Sequence, residues 1–217
     1  MTSESVADDD RESFAAWCRG DAAAGRRFVA RHLPQIARFF ATKVAAAHEA
    51  DDLTARTFEV LLGKRAQWRG EGSPRTFLFG IAHHVLLGWA RDRRRAQERF
   101  DPASVSAAAL APSMTSHIHA RGQQRVLLAA LRSIPLDAQV ILELTLVEGL
   151  SRAEIAAVLQ LPEGTVASRL RRARAQLDDA VAAHAGSPEL AQSTATDLVA
   201  WAEALREALT PGLPPAT

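Results

Sequence analysis

Between residues 150 and 177 the chain reads LSRAEIAAVLQLPEGTVASRLRRARAQL, with Arg169, Arg171, Arg172 and Arg174 crowded together. A guanidinium is a planar fork that pairs bidentately with phosphate and with the guanine edge. Ser151 and Glu154 fit an S-x-x-E capping box, and Ile155, Val158 and Leu159 make an apolar stripe behind it. A short turn holding Pro162 follows, read here as residues 160–164. Then Val166, Leu170, Ala173 and Leu177 point inward at helical spacing, while Ser168, Arg169, Arg171, Arg172 and Arg174 face outward or flank. A short helix, a tight turn and a second helix studded with arginine form the helix-turn-helix pattern that reads duplex DNA.

A second constellation lies upstream. Arg75, Phe77, His83 and His84 are followed by Arg91, Arg93, Arg94, Arg95 and Arg99. Aromatic rings beside basic groups can stack an unpaired base and hold its backbone. Taken singly, each cluster has a plainer reading, a solvated basic helix end or core aromatics.

Other chemistries find less support. His83-His84 and His117-x-His119 have neither cysteines nearby nor the i, i+4 spacing that favours zinc, so no metal or cofactor is expected. His48-Glu49 begins like a metalloprotease motif but continues without the second histidine. Gly70-Glu71-Gly72 lacks the lysine of a phosphate loop, and no Gly-x-Ser-x-Gly is present. An enzyme is not expected. Cys18, the single cysteine, reads as a small buried hydrophobe beside Trp17.

The elements that must position these groups are helical. Phe14, Trp17, Phe28, Val29, Leu33, Ile36, Phe39, Phe40 and Val44 recur at three- and four-residue steps, broken at Gly20-Asp21, which reads as a stop and a cap. A third helix is expected to start near Asp51 or Asp52 and to carry Leu53, Phe58, Leu61 and Leu62 inward. Ser73 is placed to cap a fourth helix with Pro74 at its first turn. Residues 100–120 have almost no charge and read as a flexible linker. Ile134-Pro135-Leu136 divides two further helices. In the tail, Leu198, Trp201, Leu205 and Leu209 suggest one amphipathic helix.

Composition agrees. Alanine supplies 44 of the 217 residues, tyrosine is absent and aromatics make up 6%, which speaks against a β-sandwich or barrel. The net charge of +1 hides an uneven distribution. Residues 51–99 carry 10 basic and 6 acidic groups and residues 121–177 carry 8 and 5, whereas residues 178–217 carry 1 and 6. Basic clusters point to an anionic polymer as partner, and the acidic tail is placed to cover a basic surface in cis. No uninterrupted apolar run is long enough to span a membrane, and the acidic start does not resemble a signal peptide, so a soluble cytoplasmic protein is expected.

Together these features resemble the extracytoplasmic-function (ECF) group of sigma-70 family RNA polymerase initiation factors, over roughly residues 13–183. The family's Asp-Leu-x-Gln-x-x-Phe segment stands here as Asp52-Leu53-Thr54-Ala55-Arg56-Thr57-Phe58, with Ala55 in place of glutamine. The resemblance assigns core-polymerase binding to Asp51, Asp52, Leu53, Thr57 and Phe58. The family stretch that melts the −10 element appears as Ser73-Pro74-Arg75-Thr76-Phe77-Leu78-Phe79-Gly80-Ile81-Ala82-His83-His84, with phenylalanine for the usual tryptophan and His84 for asparagine. Glu154-Ile155-Ala156 and Gly164-Thr165-Val166 match the −35-binding region, with Ala167 replacing a polar position.

The resemblance implies an all-α protein of two small helical domains and an acidic extension. Residues 11–99 would bind core polymerase and the −10 element, 100–120 would link, 121–183 would read the −35 element through the helix-turn-helix, and 184–217 would extend it. The implied partners are core RNA polymerase and promoter DNA; an anti-sigma factor is left open. Two alternatives stand beside it: a helix-turn-helix regulator that never engages polymerase, and a helical adaptor.

Overall fold

The computed structural model describes residues 3–44, 46–68, 70, 72–94, 102–103, 105–110, 123–185, 200, 202–203 and 206. Among them every regular element is helical, with one isolated bridge between Ser106 and Pro135. The first unit holds α1 (Ser3–Cys18), α2 (Ala22–Ala41), α3 (Ala47–Lys64) with a following 3-10 turn, and α4 (Pro74–Arg93). The second holds α5 (Ala107–Leu110), α6 (Gln123–Ser133), α7 (Leu136–Leu142), a π-turn (Glu143–Val147), α8 (Arg152–Leu159) and α9 (Glu163–His184).

Local signals act as their chemistry dictates. Gly20 adopts φ +106°, open to glycine at no steric cost, and ends α1. Asp21 then accepts from the amides of Ala23 and Ala24 at 2.8 and 3.0 Å, and the Ala24 bond holds its carboxyl below the usual range. Ser73 accepts from the Thr76 amide at 3.0 Å, with Pro74 opening α4. The reciprocal capping box of Ser151 and Glu154 opens α8.

Aromatic packing joins α1 to α2 and to the loop after α3. Phe14 lies 4.8 Å from Phe28, 5.3 Å from Trp68 and 5.6 Å from Trp17, ring centre to ring centre. Offset and edge contacts of this kind add to burial alone. The Trp17 ring lies over Gly25, where any Cβ would collide with the indole. Only glycine fits there. Asp9 and Asp10 on α1 both pair with Arg31 on α2 at 2.5 Å.

Several expectations need correcting. Helix α3 begins at Ala47, ahead of Asp51, because the alanines and Glu49 already support its first turn. Leu62, expected inward, is 49% exposed, and Leu33 on the α2 periodicity is 39% exposed, since three- and four-residue steps define a stripe wider than the buried face. Helix α9 starts at Glu163, so the turn is shorter than read, with Gln160 left-handed at φ +54°. Part of the expected linker is packed: Val105 and Ala107 are buried, Leu136 donates to the Val105 carbonyl at 2.6 Å, and Asp137 to that of Pro102 at 3.1 Å. Arg99 and the tail stripe residues Leu198, Trp201, Leu205 and Leu209 lie outside the described residues.

The two units share one apolar cluster, and α4 packs against α8. Charged groups cross this seam. Lys43, wholly buried at the end of α2, bonds Glu143 of the π-turn and donates to the Phe39 carbonyl at 2.6 Å, its ammonium lying 3.9 Å from the Phe39 ring centre. Arg38 reaches Glu148 at 2.8 Å, and Arg75 joins the same carboxylate at 3.1 Å. Gln139 and Arg132 donate to the Thr42 carbonyl at 3.3 and 2.8 Å. Buried charges are tolerated only when paired and hydrogen-bonded, and these are.

Candidate nucleic-acid and polymerase interface

Helix α9 turns Val166, Ala173, Leu177 and Val181 into the core and leaves Ser168, Arg169, Arg171, Arg172 and Arg174 exposed. The arginines do not form one face. At about 100° per residue, Thr165, Arg169 and Arg172 share a flank, Ser168 and Arg171 share the outermost face, and Arg174 lies on the opposite flank. The first flank looks toward α7: Arg169 stands 3.5 Å from Asp137, and both arginines line a small polar cleft with Asp137 and Gln176. Ser168 donates its hydroxyl to the Thr165 carbonyl at 2.9 Å. The outermost face meets no other element among the described residues.

The residues proposed for single-strand contact lie on α4, and most are engaged. Arg75 donates to Gln35 at 2.9 Å and to the Glu148 carbonyl at 2.7 Å, with its guanidinium 5.5 Å from the Phe79 ring centre. Phe77 is half-buried, its edge toward Phe14 at 6.5 Å. His83 is half-buried as well; burial foremost, then electrostatic repulsion from its neighbours His84 and Lys43, pushes its pKa down to about 4. It is a neutral ring at physiological pH. His84 is exposed and accepts from the Gln160 amide at 3.4 Å. Arg91 bonds the Leu87 carbonyl at 3.1 Å. Arg93 pairs with Glu49 and lies 5.1 Å from the Trp89 ring centre. Arg94 is half-buried, and Arg95 lies outside the described residues.

On α3 the five candidates split. Asp51 and Asp52 are exposed and Leu53 is half-buried, but Thr57 and Phe58 are buried, Thr57 bonding the Leu53 carbonyl at 2.8 Å. Those two hold the helix rather than present a surface. The exposed stripe continues instead through Ala55, Arg56 and Glu59 to Leu62. Leu62 was missed as a surface residue; its seven-residue step from Ala55 and eleven-residue step from Asp51 were the available signal.

Comparison with known proteins agrees with this division. The family description Sigma-70 region 2 matches residues 28–96 and Sigma-70, region 4 matches residues 124–177. The ECF RNA polymerase sigma factor SigC of Mycobacterium tuberculosis is 31% identical over 158 residues, covering 72% of this chain and 82% of the relative. The chain belongs to the ECF group of the sigma-70 family. Sigma factor SigE of Mycolicibacterium smegmatis is 33% identical, over 76% of this chain but 63% of that longer protein. The fold matches the structure of CnrH in complex with the cytosolic domain of CnrY, with a TM-score of 0.56, 24% identity and coverage of 81% of this chain and 98% of the other. It also matches the sigma factor RpoE in complex with the anti-sigma factor NepR from Bartonella quintana, at 0.55 and 19%, over 72% and 96%.

Members of this group bind core RNA polymerase and direct promoter-specific transcription initiation, and so does this sigma factor. The region 2 match on the first unit sets aside a regulator that ignores polymerase. A sigma factor acts without catalysing a reaction itself. No described helix is long and apolar enough to cross a membrane.

Proposed function

We propose a division of labour for initiation by this chain. The stripe of α3 from Asp52 to Leu62 docks on core polymerase. Ser168 and Arg171 on the outermost face of α9, with Arg169, Arg172 and Arg174 beside them, read the −35 duplex. Phe77, His84 and the arginines at the end of α4 hold the opened −10 strand. The protein works in the cytoplasm, where polymerase is. An anti-sigma factor is a further partner, by extension from the fold it shares with the NepR-bound sigma factor.

The observation that carries this reading is the outward side of α9, where Arg171 on the outermost face and Arg169, Arg172 and Arg174 on its flanks are all exposed. A helix of this kind enters the major groove, and its guanidinium groups match guanine edges and phosphates. Run-off transcription with purified core polymerase on a promoter library, with footprinting, tests it. Start sites preceded by a shared −35 and −10 pair are the expected result. DNA binding without polymerase-dependent initiation would refute it.

The reading has a geometric consequence. A −35 and a −10 element lie about 85 Å apart at roughly 3.4 Å per base pair. In the folded chain Gln160, at the turn leading into α9, touches His84 on α4. The arrangement described is a closed form, and the two units must part before both elements are engaged.

A further inference from the structure

Beyond residue 177 the chain has a single basic group, Arg206, among six acidic ones. An acidic tail is expected to lie on a basic surface through its carboxylates. Among the described residues the contact is made by a cation. The Arg206 guanidinium donates through Nε to the Val147 carbonyl at 2.7 Å, through Nη2 to the same oxygen, and through Nη2 to the Leu146 carbonyl at 3.4 Å. These carbonyls are at the C-terminal end of the π-turn, where a cation is favoured by the helix dipole. In the other direction, the Arg206 carbonyl accepts from Arg38 of α2 at 3.4 Å. Ala202, one turn earlier, is buried in the shared apolar cluster.

One residue of the extension therefore touches both units where they meet. Its side chain holds the second unit and its main chain holds the first. The residues it bridges are those of the charged seam: Arg38 is the partner of Glu148, and Val147 precedes Glu148. We infer that Arg206 is a clasp that stabilises the closed form, so that it restrains this sigma factor in cis until core polymerase or another partner displaces it. A partner that binds the parted form shifts the equilibrium only by its differential affinity, and the clasp sets how much is needed.

The seat of Arg206 is the seam itself, not a DNA-reading face. Removing the clasp therefore raises the population of the parted form without altering the outermost face of α9. Truncating the Arg206 side chain alone removes three of the bridging bonds and leaves the main-chain bond from Arg38. Its effect should lie between that of the intact chain and that of a chain without the extension.

The test uses the full chain, Arg206→Ala, and a chain ending at residue 185. Each carries a dye pair at exposed positions on α3 and α9 for single-molecule energy transfer. Circular dichroism and thermal melting confirm that each variant is folded. The expected result is a shift toward long inter-dye distances, small in Arg206→Ala and larger in the truncated chain. Adding the peptide of residues 186–217 in trans should reverse it in the truncated chain. Core polymerase should bind the truncated chain about fivefold or more tightly, the lower end of ordinary coupling between sites. Identical distance distributions in all three proteins would overturn the inference. If the truncated chain does not fold, identical distributions in the full chain and Arg206→Ala would overturn it on their own. The reading as a polymerase partner is separable: a distance shift with no core binding in any variant would uphold the clasp and refute that reading.

Discussion

The ammonium of Lys43 and the carboxylate of Glu143, one hundred positions apart in the chain, meet in a site closed to solvent between the two units. Burial pushes the Lys43 pKa down, and Glu143 works against that shift. Gln139 holds the other oxygen of Glu143 at 2.9 Å, so the carboxylate is fixed as well as paired. Such a pair contributes little net stability, because desolvation offsets much of the attraction.

Breaking the pair on one side should therefore cost more than removing it whole. Lys43→Met leaves Glu143 buried without its partner, with an expected destabilisation of about 3 to 5 kcal/mol. The double variant with Glu143→Leu should recover most of it. Urea unfolding of the four proteins of this cycle gives the coupling, and an additive result would show that the two groups do not act together.

Gly25→Ala should destabilise the first unit through a collision rather than through reduced backbone freedom. The new methyl group would meet the Trp17 ring, displacing it from Phe14, at about 1 to 3 kcal/mol for an overpacked core. Thermal melting followed by tryptophan fluorescence measures both the destabilisation and the movement of the ring. A melt unchanged from the parent would contradict the packing described.

Acid should weaken the fold through His83. Its folded pKa of about 4 lies below the ordinary 6.5, so between these values the unfolded chain binds the extra proton and stability falls as pH falls. The full contribution is present above pH 6.5 and amounts to at most about 3 kcal/mol. His84 and Lys43 face the ring and add to the cost of charging it. In His83→Gln the fall between pH 6.5 and 4 should flatten, as unfolding at a series of pH values would reveal.

Arginines of α9 should separate by role. Arg169→Ala and Arg172→Ala are expected to weaken −35 recognition by about 1 to 3 kcal/mol for each bidentate pairing with a base that the substitution abolishes. Arg171→Ala, if its guanidinium pairs with phosphate, lowers affinity for all sequences alike and reduces the salt slope by about 0.9. Polymerase-dependent footprinting over a salt series distinguishes them. Unchanged promoter selectivity in the first two would remove them from the reading set.

Leu62→Asp should weaken core-polymerase binding with little effect on folding, because the side chain is 49% exposed on the proposed docking stripe. A weakening of about fivefold or more corresponds to one apolar contact of roughly 1 kcal/mol. Fluorescence anisotropy with purified core enzyme measures it, and full affinity would place the contact elsewhere on α3.

Much of the fold was legible because its signals are local. Gly20-Asp21, Ser73-Pro74 and the Ser151/Glu154 box each act within one turn, and each works as read. The outward set on α9 followed from periodicity. What stayed hidden depends on partners far away in sequence. Lys43, Glu143, Arg38 and Glu148 sit among apolar neighbours, and nothing within either segment announces that the other will be its counter-charge. Arg75 illustrates the same limit at the candidate site, since its motif position suggested DNA while its guanidinium is held by Gln35 and Glu148.

The π-turn sets a phase. Glu148 donates its amide to the Glu143 carbonyl at 2.9 Å, a step of five residues where an α-helix takes four. In an α-helix two residues five apart diverge by about 140°. The wider turn brings both acids to the same side, one for Lys43 and one for Arg38 and Arg75. Inserting a single residue between them would keep every charge of the seam in the chain and still rotate one acid away, whereas deleting one would leave an ordinary four-residue turn with both acids on one side, so this joint is vulnerable to a gain in length that no substitution table would flag.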